Sequence, residues 1–137
     1  QVYYPHTNID LKYQNSVLEL GEDQKSSLME LTQISFPDFF RERTANLGNF
    51  WGIFSHDKLI STAGERMRVI NTFQEISTLC THPKYLNCGY AQQVLTFAVS
   101  KILDKEKIPF AHIVHSNSKS LSLFLKTGFQ IRKQIPM

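Results

Sequence analysis

The sequence predicts an α+β fold, an α/β sandwich in which helices flank a mostly antiparallel sheet. Three observations lead there. Residues 50–81 read as three consecutive strands joined by short turns. Residues 91–103 carry apolar side chains at helical spacing. Residues 109–115 form a nearly continuous apolar run, as expected for a strand covered on both faces. A chain of 137 residues can bury one core and is short for two ordinary domains. We therefore expect a single domain over residues 15–137, preceded by a polar, irregular stretch, residues 1–14, that is either a tail or the remnant of a preceding segment. That the chain begins at Gln1 rather than Met fits the second choice.

Val17 to Leu20 reads as a short strand, and Gly21-Glu22-Asp23 opens a helix with Leu28, Leu31 and Ile34 on one side. Pro37 ends or kinks that helix, and residues 38–46 read as a second short helix or turn. Phe50 to Phe54, Leu59 to Val69 and Phe73 to Thr81 are strands, separated by His56-Asp57-Lys58 and Ile70-Asn71-Thr72. Ala91, Val94, Leu95, Ala98, Val99, Ile102 and Leu103 define the clearest helix. Residues 117–127 fit both periods, since Leu121, Leu123 and Leu125 alternate while Leu121, Phe124 and Leu125 share a helical face. A polar cap at Asn117 or Ser118 and Gly128 just past the end favour helix. Phe129 to Ile135 is the last strand. The predicted order is β-α-α-β-β-β-α-β-α-β.

Composition narrows the function classes. Hydrophobic residues are 42% of the chain and charged residues 20%, a globular balance rather than a disordered one. The formal charge of +3 permits an anionic ligand and does not call for nucleic acid. No apolar run approaches membrane-spanning length, and no charged leader precedes one, so no membrane partner is expected. Ten Phe, five Tyr and one Trp point to an aromatic core. Cys80 and Cys88 form neither a metal pair nor a disulfide framework, which suits a reducing, cytoplasmic setting. The histidines show no metal-binding spacing, so no metal is expected; His112 and His115, three apart in a strand, should point to opposite faces.

Residues 79–92, Leu-Cys-Thr-His-Pro-Lys-Tyr-Leu-Asn-Cys-Gly-Tyr-Ala-Gln, carry the chemistry. A strand runs through a short loop with Gly89 into the long helix. A helix N-terminus presents unpaired N–H groups and partial positive charge, and glycine lets a ligand approach the backbone, so this turn suits a phosphate or pyrophosphate. An ordinary strand-to-helix turn has the same outline.

Residues 28–135 resemble the GNAT superfamily of acetyl-CoA-dependent N-acyltransferases. The resemblance rests on Thr81-His82-Pro83-Lys84-Tyr85-Leu86-Asn87-Cys88-Gly89-Tyr90-Ala91, similar to the family's (Q/R)xxGx(G/A) loop, and on Asn117 followed by Gly128-Phe129. It rests also on Ala63-Gly64-Glu65-Arg66-Met67-Arg68 followed by Glu75-Ile76-Ser77, which looks like one bacterial branch. It implies a mixed sheet and acetyl-CoA as co-substrate. Leu79, Cys80 and Thr81 would flank the pantetheine arm, with the backbone of Leu79 and Thr81 pairing to it. The loop from Leu86 through Asn87, Cys88, Gly89, Tyr90, Ala91 and Gln92 would hold the pyrophosphate. Asn117 and Ser120 would contact the pantetheine side, and Phe124 would pack near the thioester. Two positions depart from the family: Leu86 replaces the Arg or Gln at the head of the loop, and Phe124 replaces a Tyr that often serves as general acid.

Acyl transfer needs a neutral amine, so a carboxylate that accepts its proton is expected. Glu75 is the first candidate. In an ideal strand it shares a face with Phe73, Ser77 and Leu79, and it precedes Leu79 by about 13 Å at 3.3 Å per residue. A bulge in this strand would undo that facing. Glu65, alternating with Ala63 and Met67, is the second. The resulting reading is an acetyltransferase acting on a primary amine of a small molecule, amino acid or peptide by direct attack, within an acyl-CoA N-acyltransferase domain. The alternatives are a catalytically weakened acyl-CoA-binding module or sensor, and an unrelated interaction domain. Residues 22–47 are the expected acceptor wall, and a homodimer is left open.

Overall fold

A computed structural model describes residues 2–7, 17–35, 49–70, 72–86, 88–113 and 118–131; for residues 22, 25, 32–35, 66–70, 77, 78 and 118 it describes the backbone alone. His56 and Asp57 both take positive φ, 50° and 66°, the geometry of a two-residue hairpin turn. The turn joins β3 (Phe50–Ser55) to β4 (Lys58–Ile70), and β5 (Phe73–Thr81) pairs antiparallel along the other side of β4. β2 (Leu18–Leu20) adds to β3 as the outer strand, close to the expected position.

With β1 (Val2–Tyr3), β6 (Ile108–Ala111) and β7 (Gln130–Ile131), the described strands form one sheet in the order β2-β3-β4-β5-β6-β1-β7. Its pairings are antiparallel except one: β6 runs parallel to β5. β1 lies between β6 and β7, antiparallel to both. The reading of residues 1–14 as an irregular tail is thereby corrected for its first residues, which form an interior strand, while residues 8–14 lie outside the described ones. Val2 and Tyr4 are buried, and the Tyr4 ring packs edge-on against Phe129 at 5.4 Å. The signal was faint because two residues cannot show a period.

Three helices cover the described sheet. α1 (Lys25–Ser35) brings Leu28 and Leu31 onto Phe50, Leu59 and Cys80 on one face. α2 (Tyr90–Asp104) lies on the other, with Val94 and Ala98 on Trp51, Ile53, Ile60 and Ala63. α3 (Ser118–Thr127) packs beside α2, and Leu95, Val99, Ile102 and Phe124 close over Val2, Ile76 and Ala111. Helix wins over strand in residues 118–127 for the reason foreseen at its end. Gly128 takes φ 121°, its N–H donates to the Leu125 carbonyl, and the Phe129 N–H donates to the Phe124 carbonyl, which closes the last turn. No helix among the described residues is long and apolar enough to cross a membrane. The expected helix at 38–46 lies outside the described residues.

Candidate functional site

β5 and β6 pair only over Phe73–Ile108, Gln74–Pro109 and Glu75–Phe110. β6 ends one residue later, whereas β5 runs on to Thr81. Among the described residues, the two parallel strands therefore part after Glu75. On the side of β5 turned away from β4, the pairing with a described strand ends at Glu75, and β5 continues to Thr81. Sheet edges of this kind accept extended ligands through their backbone groups.

The open edge leads into the loop. Pro83–Tyr85 make a single 3₁₀ turn, capped by His82, whose Nδ1 accepts from the Lys84 N–H at 3.1 Å. Leu86 then turns extended and is 49% exposed. Cys88 is exposed, and its thiol donates to the Leu86 carbonyl. Gly89 takes φ 85° and stands at the N-cap of α2, and no side chain caps the helix there. A Cβ on Gly89 would meet nothing within 4 Å. The first N–H groups of α2 thus open onto free space at a left-handed glycine, which fits a phosphate group. Tyr90, Ala91 and Gln92 form the first turn, and Asn87 lies outside the described residues.

Upstream of the loop, Leu79 is half-buried against the α2 core, and Cys80 is buried on the α1 side. Thr81 shares a 2.9 Å hydroxyl hydrogen bond with Ser61. Ser120 is half-buried in the first turn of α3, and Asn117 lies outside the described residues. Phe124, expected near the thioester, is 4% exposed and fills the core, its ring 4.8 Å from that of Phe129. Of the expected acceptor wall, Ser27 and Glu30 of α1 line a small, shallow cleft with Asp57, Lys58 and His82.

The two candidate carboxylates lie on opposite faces of the sheet. Glu65 pairs with Ile76 across β4 and β5, and Ile76 belongs to the α2 side. Glu65 is 5% exposed; its Oε1 accepts from Asn49 at 2.9 Å and from Lys105, just past the end of α2, at 2.5 Å. Glu75, next to Ile76, points to the other face with Phe73 and Phe110. Its Oε2 lies 3.1 Å from Nδ1 of His112. The expectation that Glu75 shares a face with Leu79 does not hold. The register between β4 and β5 shifts between Thr62 and Gly64, and this bulge turns Leu79 to the face of Ile76. His112 had no place in the sequence reading of the site. Its partner is 37 residues away, and only the parallel register brings the two together.

The profile of the FR47-like protein family matches residues 50–135. The chain belongs to the FR47-like family, within the GNAT superfamily. Its fold is that of the family's acetyltransferases. A GNAT-family acetyltransferase structure from Novosphingobium aromaticivorans superposes with a TM-score of 0.87 at 24% identity, over 96% of this chain and 58% of that one. The chain thus spans less than two thirds of that relative. The Escherichia coli ribosomal-protein-S18-alanine N-acetyltransferase superposes with a TM-score of 0.72 at 14% identity, over 85% of this chain and 78% of the other. The aminoglycoside N-acetyltransferase AAC(6')-Iy, solved with the bisubstrate analogue CoA-S-monomethyl-acetylneamine, gives 0.70 at 11% identity, over 88% and 94%. No sequence among the curated proteins matches this FR47-like chain.

Proposed function

We propose that this FR47-like protein is an N-acetyltransferase that moves an acetyl group from acetyl-CoA to a primary amine of a small molecule, an amino acid or a peptide. The observation that carries the proposal is the continuity of the β5 edge. Its last pair with the parallel strand β6 is at Glu75, and from there it runs on to Thr81 and into the glycine-opened N-terminus of α2. With its pyrophosphate on the backbone of residues 87–92, acetyl-CoA has its pantetheine arm along Leu79, Cys80 and Thr81, and its thioester near Glu75. Ser120 flanks the arm from α3, and the resemblance adds Asn117 to it.

An alkyl ammonium has a pKa near 10, so the attacking amine must shed a proton. Glu75 is the carboxylate at the parting of the strands and serves that deprotonation. Glu65, buried under α2 and held by Lys105, serves the fold instead. The amine then attacks the carbonyl carbon directly, and the C–S bond breaks with its electron pair on sulfur. Thiols have pKa values near 8.5, so the thiolate departs with little help from an acid. The phenylalanine at 124 is compatible with this step. Cys80, buried, and Cys88, exposed, are thiols rather than a disulfide, which fits a cytoplasmic location.

The exposed Leu86 favours a second reading, a binding module for acyl-CoA, because a hydrocarbon stands where the superfamily places a cationic or amide side chain. One set of measurements separates the two. Acetyl-CoA should raise the melting temperature, and an amine panel should release CoA thiol at a rate that Glu75→Gln lowers. Binding without turnover by any amine supports the module, and no thermal shift removes both readings.

A further inference from the structure

We infer that Glu75 and His112 work as one proton-accepting pair, in which the imidazole of His112 takes the proton that the amine gives up. The inference rests on the acetyltransferase reading and moves its proton one residue further.

The pair sits at the parting of the strands. Glu75 belongs to the last paired position between β5 and β6, and His112 follows β6 directly. Both lie on the face turned away from α2, beside Phe73 and Phe110, and the His112 ring stands edge-on to Phe110 at 5.6 Å. The contact from Glu75 Oε2 to His112 Nδ1 is 3.1 Å. The Glu75 side chain is 16% exposed and that of His112 48%, so the carboxylate is the inner member and the imidazole the outer one.

A carboxylate can only accept, so the nitrogen facing it carries the hydrogen. In neutral imidazole the other nitrogen, Nε2, is then the proton acceptor. The imidazole is also the more exposed of the two groups, so it is the one within reach of an amine. In the step, the amine nitrogen bonds to the acetyl carbon while its proton passes to Nε2, directly or through one water. The C–S bond breaks toward sulfur. Glu75 holds Nδ1–H throughout and faces the imidazolium with its negative charge. The imidazolium then gives its proton to solvent or to the thiolate, so neutral amine and acetyl-CoA become amide and CoA thiol; an acceptor that arrives as ammonium first passes one further proton to solvent by the same imidazole. Glu75 is a positioning residue in this arrangement, and His112 acts on the reacting nitrogen.

The test is acetyl transfer by His112→Ala, His112→Asn and Glu75→Gln, with thermal shift by acetyl-CoA recorded for each. His112→Ala and His112→Asn should lower kcat by about 10²-fold or more while the thermal shift stays at the parent value. Imidazole added to His112→Ala should restore part of the rate, and 4-methylimidazole, the stronger base, should restore more. Combining His112→Ala with Glu75→Gln should cost no more than the slower single variant, because the two act as a unit. His112→Ala and His112→Asn with parental kcat would overturn the pair and leave the acetyltransferase reading standing. Slow variants that no imidazole rescues, with unchanged thermal shift, overturn it too. A parent protein that binds acetyl-CoA and acetylates no amine overturns the acetyltransferase reading and this inference with it.

Discussion

Nζ of Lys105 lies 2.5 Å from Oε1 of Glu65, so the residue that follows α2 is tied to the middle of β4. Asn49 donates to the same oxygen, and Oε2 of Glu65 is buried without a hydrogen-bond partner among the described residues. Without Lys105, a 5% exposed carboxylate keeps, among the described residues, the neutral donor Asn49. Lys105→Met is expected to lower stability by about 1–3 kcal/mol, less than for a fully enclosed pair because the lysine is 38% exposed. Glu65→Gln should cost less, since the amide oxygen can still accept from Asn49. Urea midpoints at unchanged m-value read both effects. Equal midpoints for Lys105→Met and the parent refute the contact's role.

Gly89→Ala separates folding from binding. The φ of 85° costs an alanine about 1–2 kcal/mol of backbone strain, yet its Cβ meets no protein atom. A modest loss of melting temperature is expected together with at least tenfold weaker CoA affinity if the proposed phosphate site is at this turn, because the methyl would fill the open space beside Gly89. Calorimetric titration with CoA checks this, and parental affinity would place the phosphate elsewhere.

Gly64 and Phe50 form a cross-strand pair, and a Cβ on Gly64 would run into the Phe50 ring. Gly64→Ala should destabilise by about 1–3 kcal/mol through overpacking. Phe50→Leu in the same chain should recover part of that loss, whereas additive losses would mean that the ring is not the obstacle.

Burial raises the Tyr4 hydroxyl above its ordinary value of 10.0. The unfolded chain then gives up this proton at lower pH than the folded one. Stability should be insensitive to Tyr4 below about pH 10 and fall as pH rises through the folded value, because deprotonation favours the unfolded state. Tyr4→Phe should remove that share of the alkaline loss. Denaturation midpoints of the two proteins at rising pH make the comparison, and parallel curves would count against it.

Local pattern carried the long elements. The alternation in residues 50–81 and the 3.6-residue period of 91–103 reappear as β3, β4, β5 and α2, because each presents a full face to the core and burial rewards that periodicity directly. The loop from Leu86 to Gln92 was legible for the same reason: a glycine between a strand and a helix is a local backbone requirement. The two-residue β1 carried no such pattern, and the ring of Phe124 could not be assigned to core or ligand from its spacing alone.

The sequence by itself determined the α+β class, the order of the long elements and the Gly89 turn, since all three are set by residues near one another in the chain. Tertiary structure alone decided which carboxylate stands where. A bulge between β4 and β5 turns Leu79 away from Glu75, and the parallel register of β5 and β6 sets His112 beside Glu75. Lys105 claims Glu65 from the far end of α2. Register and bulges depend on how distant strands slide against one another under the helices, and a one-residue slip exchanges the two faces of a strand without changing a letter of its sequence.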